Sequence, residues 1–211
     1  MADPEFTRIL MIIPGALLGL TLHEAAHALA AFLLGDPTAK RLGRLTLNPL
    51  KHLDLFGTLM IFLIHFGWAK PVPVNPAHFR SPKRDMLFVA LVGPATNFLI
   101  AAAFGFGLRA MPDPTALSGS GAVIYQILLY GVVINVVLAV FNLLPVPPLD
   151  GSRLVHLFFP AKYERQYQMF TRVAGFALLA VVLIGMLTKV SIIGALINAP
   201  VGFFLRLFVG V

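Results

Sequence analysis

The chain alternates long apolar runs with short polar, proline-rich connections. The first run extends from about Thr7 to Leu34 and stops at Gly35-Asp36-Pro37, a helix-terminating sequence. A helix needs about 20 mostly apolar residues to cross a bilayer, and this run exceeds that. Further runs of similar length lie at about Asp85 to Met111, Gly121 to Leu144 and Tyr167 to Thr188; a weaker one from Val190 to Phe208 carries Asn198, Pro200 and Arg206. The run from Leu55 to Trp68 is short and contains Gly57, His65 and Gly67. Behind it stands Lys70-Pro71-Val72-Pro73-Val74-Asn75-Pro76, where each proline removes a donor and restricts its predecessor, so helix is excluded. Residues 41–79 are therefore expected to be re-entrant or interfacial with extended pieces, covered by protein or lining a wet cavity. The pattern predicts an all-α membrane protein, a polytopic helical bundle of about five to six transmembrane segments with a re-entrant, extended segment after the first helix. No internal repeat is visible.

Composition agrees with that picture. The 211 residues are 58% hydrophobic and 12% charged, against about 25% charged in ordinary soluble domains. With no cysteine, disulfides, thiolate metal sites and a cysteine nucleophile are all excluded, and any metal must be held by His, Asp or Glu. Met1 to Phe6 reads as a translated cloning linker, leaving residues 7–211 as a single membrane domain without an evident cleavable signal peptide. The net charge of +7 does not indicate a nucleic-acid partner, because the basic residues lie in loops between apolar runs and read as topology signals and contacts to the lipid bilayer. If Leu55 to Trp68 does not cross, twelve of the sixteen Lys and Arg residues fall on one side, including Lys40, Arg44, Lys83, Arg153 and Arg172. The positive-inside rule makes that side cytoplasmic.

Glu24 is the exception among the nine acidic residues, because it sits inside the first apolar helix, where an ionisable group is costly and marks a functional position. Around it stands His23-Glu24-Ala25-Ala26-His27. Positions i and i+4 share a helix face, so both imidazoles can reach one metal, with Glu24 beside it to take a proton from water. A third ligand is needed, and Asp150 in Asn142-Leu143-Leu144-Pro145-Val146-Pro147-Pro148-Leu149-Asp150-Gly151 can supply it. His27 precedes Leu34 by seven residues, about 10 Å from the helix end, and Asp150 follows the crossing that returns to that side. His52, His78 and His156 read as interfacial, and His65 as a satisfied core histidine. A metal transporter using the same ligands is the rival reading; it predicts polar positions continuing along a path and inverted repeats.

Three motifs in order, His23 to His27, Gly93-Pro94-Ala95-Thr96-Asn97 and Asn142 to Gly151, make the chain resemble the site-2 proteases, intramembrane zinc metalloproteases. The resemblance runs from the first helix to about Leu154. Trp68 to Pro76 looks like the compact bacterial and archaeal branch, without a PDZ or CBS module. The resemblance implies one Zn²⁺ per chain on His23, His27 and Asp150, and Glu24 as general base and later proton donor. It also implies Asn142 near the metal, supporting the substrate backbone or developing oxyanion, and Asn97 as a substrate-holding residue. The implied partner is a membrane-anchored protein substrate, and the implied location is a prokaryotic inner membrane with the site nearer the cytoplasmic side. The sequence does not select an oligomeric state.

Overall fold

The computed structural model describes residues 3–64, 67–189 and 191–210; His65 lies outside them. Its helices are α1 (Pro4–Leu33), α2 (Thr38–Arg41), α3 (Leu55–Ile64), α4 (Pro82–Arg109), α5 (Ser120–Asn142), α6 (Ser152–Phe158), α7 (Glu164–Thr188) and α8 (Ile192–Val209). Five of them (α1, α4, α5, α7 and α8) are long and apolar enough to cross a membrane. Among the described residues the only extended pairing is an isolated antiparallel bridge between Leu53 and Ala69. The chain is an all-α polytopic membrane protein.

Helix α1 begins at Pro4, earlier than the apolar pattern suggests, because the Asp3 carboxylate accepts from the Glu5 amide and Pro4 suits a first helical position. The weaker apolar run at the C-terminal end forms an 18-residue helix, about 27 Å long, enough to span. By contrast, α3 has 10 residues, about 15 Å or half a bilayer core, so it enters without crossing. The chain returns against it at a glycine: a Cβ on Gly57 would lie 2.1 Å from the Trp68 carbonyl oxygen.

Helices α1, α4 and α5 form the body of the bundle. Small residues let α1 and α5 approach, since a Cβ on Gly15 would meet the Gly131 Cα at 2.7 Å. Such close backbone contact is what drives helix association in lipid, where burial of apolar surface from water cannot. On the far side, Phe204, Leu205 and Phe208 of α8 pack against Ala101, Val132 and Val136 of α4 and α5. Helix α7 lies outermost and buries only Tyr167 and Ala174.

The segment from Ala69 to Asn75 forms a strap along α1, and its backbone polar groups are tied to other elements. The Lys70 amide donates to the His52 carbonyl at 2.8 Å, and the buried Arg44 guanidinium donates to the Lys70 and Pro71 carbonyls at 2.6 and 3.1 Å. The Val72 amide donates to Glu24 at 2.9 Å and the Asn75 amide to Asp36 at 2.7 Å. Asp36, fully buried just beyond α1, also accepts from the Thr38 amide and hydroxyl and from His78 Nδ1. Burial alone would raise the Asp36 carboxyl, but these donors outweigh it and hold it below its ordinary value. Apolar contacts of Val74 and Phe79 with Ala31 and Val89 seat this end of the strap on α1 and α4.

Candidate metal centre

His23 and His27 are one turn apart on α1 and both are buried. The Nδ1 atom of His27 lies 2.7 Å from the Val89 carbonyl, which can only accept. The Nδ1 atom of His23 lies 2.6 Å from Asn97 Oδ1. That amide's orientation is fixed independently, because Asn97 Nδ2 donates to Asn135 Oδ1 at 3.0 Å and to the Gly19 carbonyl at 3.3 Å. Asn135 in turn donates to the Gly15 and Gly131 carbonyls. Both imidazoles therefore carry their proton on Nδ1 and present bare Nε2 lone pairs inward.

Asp150 completes the cluster. Gly151 closes the loop that carries it: its amide donates to the Asn142 carbonyl at 2.7 Å, and a Cβ there would lie 2.2 Å from the Leu143 carbonyl oxygen. This turn brings Asp150 Oδ2 to 3.2 Å from His23 Nε2 and 3.3 Å from His27 Nε2, while the two Nε2 atoms are 3.0 Å apart.

The fit to a metal follows from these atoms. Oδ2 is buried and has no hydrogen-bond donor, so three lone-pair-bearing atoms face one another and repel unless a cation lies between them. A tetrahedral ion with bonds of about 2.0–2.1 Å to N and O sets its ligands about 3.3 Å apart. The observed triangle of 3.0, 3.2 and 3.3 Å matches that spacing. These three residues also form the metal-capable group found among the described residues. Gly93 explains part of the second motif: a Cβ there would fall 2.5 Å from His27 Nε2 and 2.7 Å from His23 Cε1, inside the ligand rings.

The structure thus brings His23, His27, Glu24, Asp150 and Asn97 together. Glu24 is buried beside the cluster, with Oε2 held by the Val72 amide. Asn97 is fully buried behind His23 with its amide engaged on helices α1 and α5 and on the ligand itself. Asn142 is half-buried at the end of α5, where its side chain donates to the Leu138 carbonyl at 3.0 Å and its main chain anchors the Asp150 loop. Sequence reasoning missed Asn135 and the Val72 amide. An asparagine in the middle of an apolar run was a legible signal for the first. A backbone donor gives none.

The family model for peptidase family M50 matches residues 110–185, which include the Asp150 loop. Over 147 residues the chain is 44% identical to YwhC of Bacillus subtilis, a protein provisionally named a zinc metalloprotease, covering 68% of this chain and 67% of that protein. The chain belongs to peptidase family M50. Rip2 of Mycolicibacterium smegmatis and Rip2 of Mycobacterium tuberculosis, which bear the same kind of provisional name, are 34% and 32% identical, with 67% of this chain matched in each case. The chain spans 67% of the length of YwhC and 54% of each Rip2 protein. No solved structure matches. As an M50 peptidase with five candidate spans, the chain is a membrane metalloprotease, a hydrolase.

Proposed function

We propose that the chain is a zinc endopeptidase that hydrolyses membrane-anchored protein substrates within or at the edge of their transmembrane segments. The observation that carries this reading is the triangle of bare His23 Nε2, His27 Nε2 and Asp150 Oδ2 atoms with Glu24 beside it. His23, His27 and Asp150 hold the ion. When bound, zinc polarises a carbonyl and lowers the pKa of water towards neutrality.

The remaining chemistry belongs to the chain. Glu24 takes one proton from the attacking water as the new C–O bond forms, then delivers it to the amide nitrogen as the C–N bond breaks. Its Oε2 is held by the Val72 amide, which leaves Oε1 as the oxygen that carries the proton. His23 and His27 keep their tautomers through Asn97 and Val89, so neither competes for that proton. Asn142, the last residue of α5 before the loop that presents Asp150, supports the substrate carbonyl as charge develops on it. Asn97 acts in this scheme by orienting His23.

The basic residues support a cytoplasmic placement of the site in a prokaryotic inner membrane. They gather on the face where α1 ends and α4 and α7 begin. The rival reading, a transporter, needs ligands continuing through the helices; among the described residues the metal-capable atoms form one group.

The test is cleavage of a single-span substrate in liposomes by wild type and by Glu24→Gln, with zinc quantified in both. The expected result is about one zinc in each protein and a loss of at least about 100-fold in turnover for the variant. Equal cleavage by both, or zinc in both with no cleavage of several different spans, refutes the assignment.

A further inference from the structure

Outside the metal centre, a cavity of about 510 Å³ lies where α4, α6 and α7 meet. Its lining includes Lys83 from α4, Arg153 and His156 from α6, and Glu164, Tyr167 and Arg172 from α7. The charges do not balance inside it. The Glu164 carboxylate is already taken: His156 Nε2 lies 3.1 Å from both of its oxygens and Lys83 Nζ 3.9 Å from one. Lys83 also donates to the Phe159 carbonyl at 2.8 Å. Arg153 and Arg172 face the same cavity from different helices, and no ion pair or side-chain hydrogen bond to either is found among the described residues. With Lys83, Arg153 and Arg172 against the single carboxylate of Glu164, the lining carries an excess of cation that an anion would balance; a planar five-donor fork suits phosphate oxygens in particular.

The position of the pocket selects the kind of anion. It sits where α4 and α7 both begin, at the membrane face that carries most of the basic residues. Arg172 is eight residues into α7 from Glu164, about 12 Å along the axis. The cavity therefore runs from the headgroup layer towards the hydrocarbon. One turn below Arg172 on the same stripe stands Phe176, which is 77% exposed, a surface for an acyl chain. Helix α7 has few buried residues of its own, so a ligand gripping Arg153 on α6 and Arg172 on α7 would tie it to the body that carries the metal centre. We infer that this pocket is a phosphate site filled by the headgroup of an anionic lipid, which fastens α7 to α4 and α6.

The experiment uses the whole purified protein in mixed phosphatidylcholine and phosphatidylglycerol nanodiscs. Lipids retained on release are counted by native mass spectrometry, and thermal unfolding is followed in parallel. Wild type should retain phosphatidylglycerol in preference to phosphatidylcholine and melt higher as its fraction rises. Each arginine removed should weaken that preference about fivefold, the fold-change equivalent to about 1 kcal/mol per basic group at a membrane surface. The Arg153→Ala/Arg172→Ala double variant should then lose most of it, and Arg153→Lys/Arg172→Lys should keep much of it. Lys51→Ala, an exposed cation outside the pocket, should change it less than about twofold, because a solvated lysine outside the pocket offers no fork to a seated headgroup and its charge is screened by salt. If the double variant does not fold, the exposed Arg172→Gln alone should show the fivefold loss. An unchanged preference in the double variant, or an equal loss in Lys51→Ala, overturns the site. Occupation by inorganic phosphate with the same arginine dependence but no lipid preference overturns the lipid assignment, as does an acidic peptide that displaces the lipid.

Discussion

Asn97→Leu separates two roles that the same residue could play. In the structure Asn97 is fully buried, accepts from His23 Nδ1 at 2.6 Å and donates to Asn135 Oδ1 at 3.0 Å. Leucine is close in size but removes these two bonds and the one to the Gly19 carbonyl, leaving the His23 N–H and the Asn135 oxygen without partners. A buried polar group left unsatisfied costs about 1–3 kcal/mol, and hydrogen bonds between membrane helices average only about 0.6 kcal/mol. A combined cost of about 1–3 kcal/mol is therefore reasonable. Part of it falls on the metal, because His23 then loses the partner that fixes its tautomer and ring plane. Loss of such a supporting partner weakens metal binding about 10- to 100-fold, equivalent to about 1.4–2.7 kcal/mol. The assay is competition for zinc between a chelating dye and the detergent-purified protein. Asn135→Leu is the comparison: it breaks the Asn97–Asn135 bond but leaves Asn97 Oδ1 facing His23, so its zinc affinity should fall by less. If Asn97→Leu binds zinc as wild type does while KM for a membrane substrate rises several-fold, the residue contacts substrate and the orienting role is wrong.

Three further outcomes are expected. Val72→Pro keeps an extended backbone between two prolines but removes the amide that holds Glu24. A hydrogen bond to a charged group contributes about 1.5–3 kcal/mol, so kcat should fall roughly 10- to 100-fold with zinc content unchanged; wild-type kcat refutes the role of this contact. Gly93→Ala places a Cβ 2.5 Å from His27 Nε2 and should lower zinc affinity more than Ala95→Gly, measured by the same dye competition. Asp36 has a depressed carboxyl, so its stabilisation is present above the unfolded value of about 3.9 and is lost as pH falls through the lower folded value. Asp36→Asn should lower the Tm at pH 7, and the gap from wild type should narrow only in strongly acid buffer; a gap that closes already at pH 5 contradicts the assignment.

Much of the bundle was legible because the physical constraint was severe. Apolar length identified four of the five candidate spans and left the weaker C-terminal run open between a span and an interfacial helix, and the 10-residue α3 followed from its shortness and the prolines behind it. The ligand set was legible for a related reason: His23, Glu24 and His27 are too costly inside an apolar helix to lack a purpose, and Asp150 follows a proline-rich break at matching depth. Contacts written in small residues or in the main chain were not legible. Gly15, Gly19 and Gly131 have no side chain to signal a contact, yet a Cβ on Gly19 would strike Asn135 Oδ1 at 2.3 Å. The family resemblance implies a substrate-holding role for Asn97, and in the structure its amide is engaged on His23, Gly19 and Asn135. No local pattern could show that, since the partners are 74, 78 and 38 residues away.

The polar network also accounts for how α1 can carry a metal site at all. Two imidazoles and a carboxylate in a membrane helix are tolerable only if neighbours satisfy them, and the neighbours belong to α4, α5 and the strap. Helix α4 reaches His23 through Asn97 and His27 through the Val89 carbonyl, and Gly93 between them lies close enough to leave room for the rings alone. Helix α5 then locks Asn97 through Asn135, whose amide is held by the Gly15 and Gly131 carbonyls where α1 and α5 pack backbone to backbone. The glycines that allow the helices to pack are thus the residues that bring carbonyls within reach of Asn135. Packing and ligand orientation are one structural requirement. For that reason a bulky substitution at Gly15 or Gly131, remote in sequence from every ligand, should weaken zinc binding as well as the fold, whereas an equally disruptive substitution at the α8 contact of Gly105 with Phe208 should lower stability and leave zinc affinity in the folded fraction unchanged.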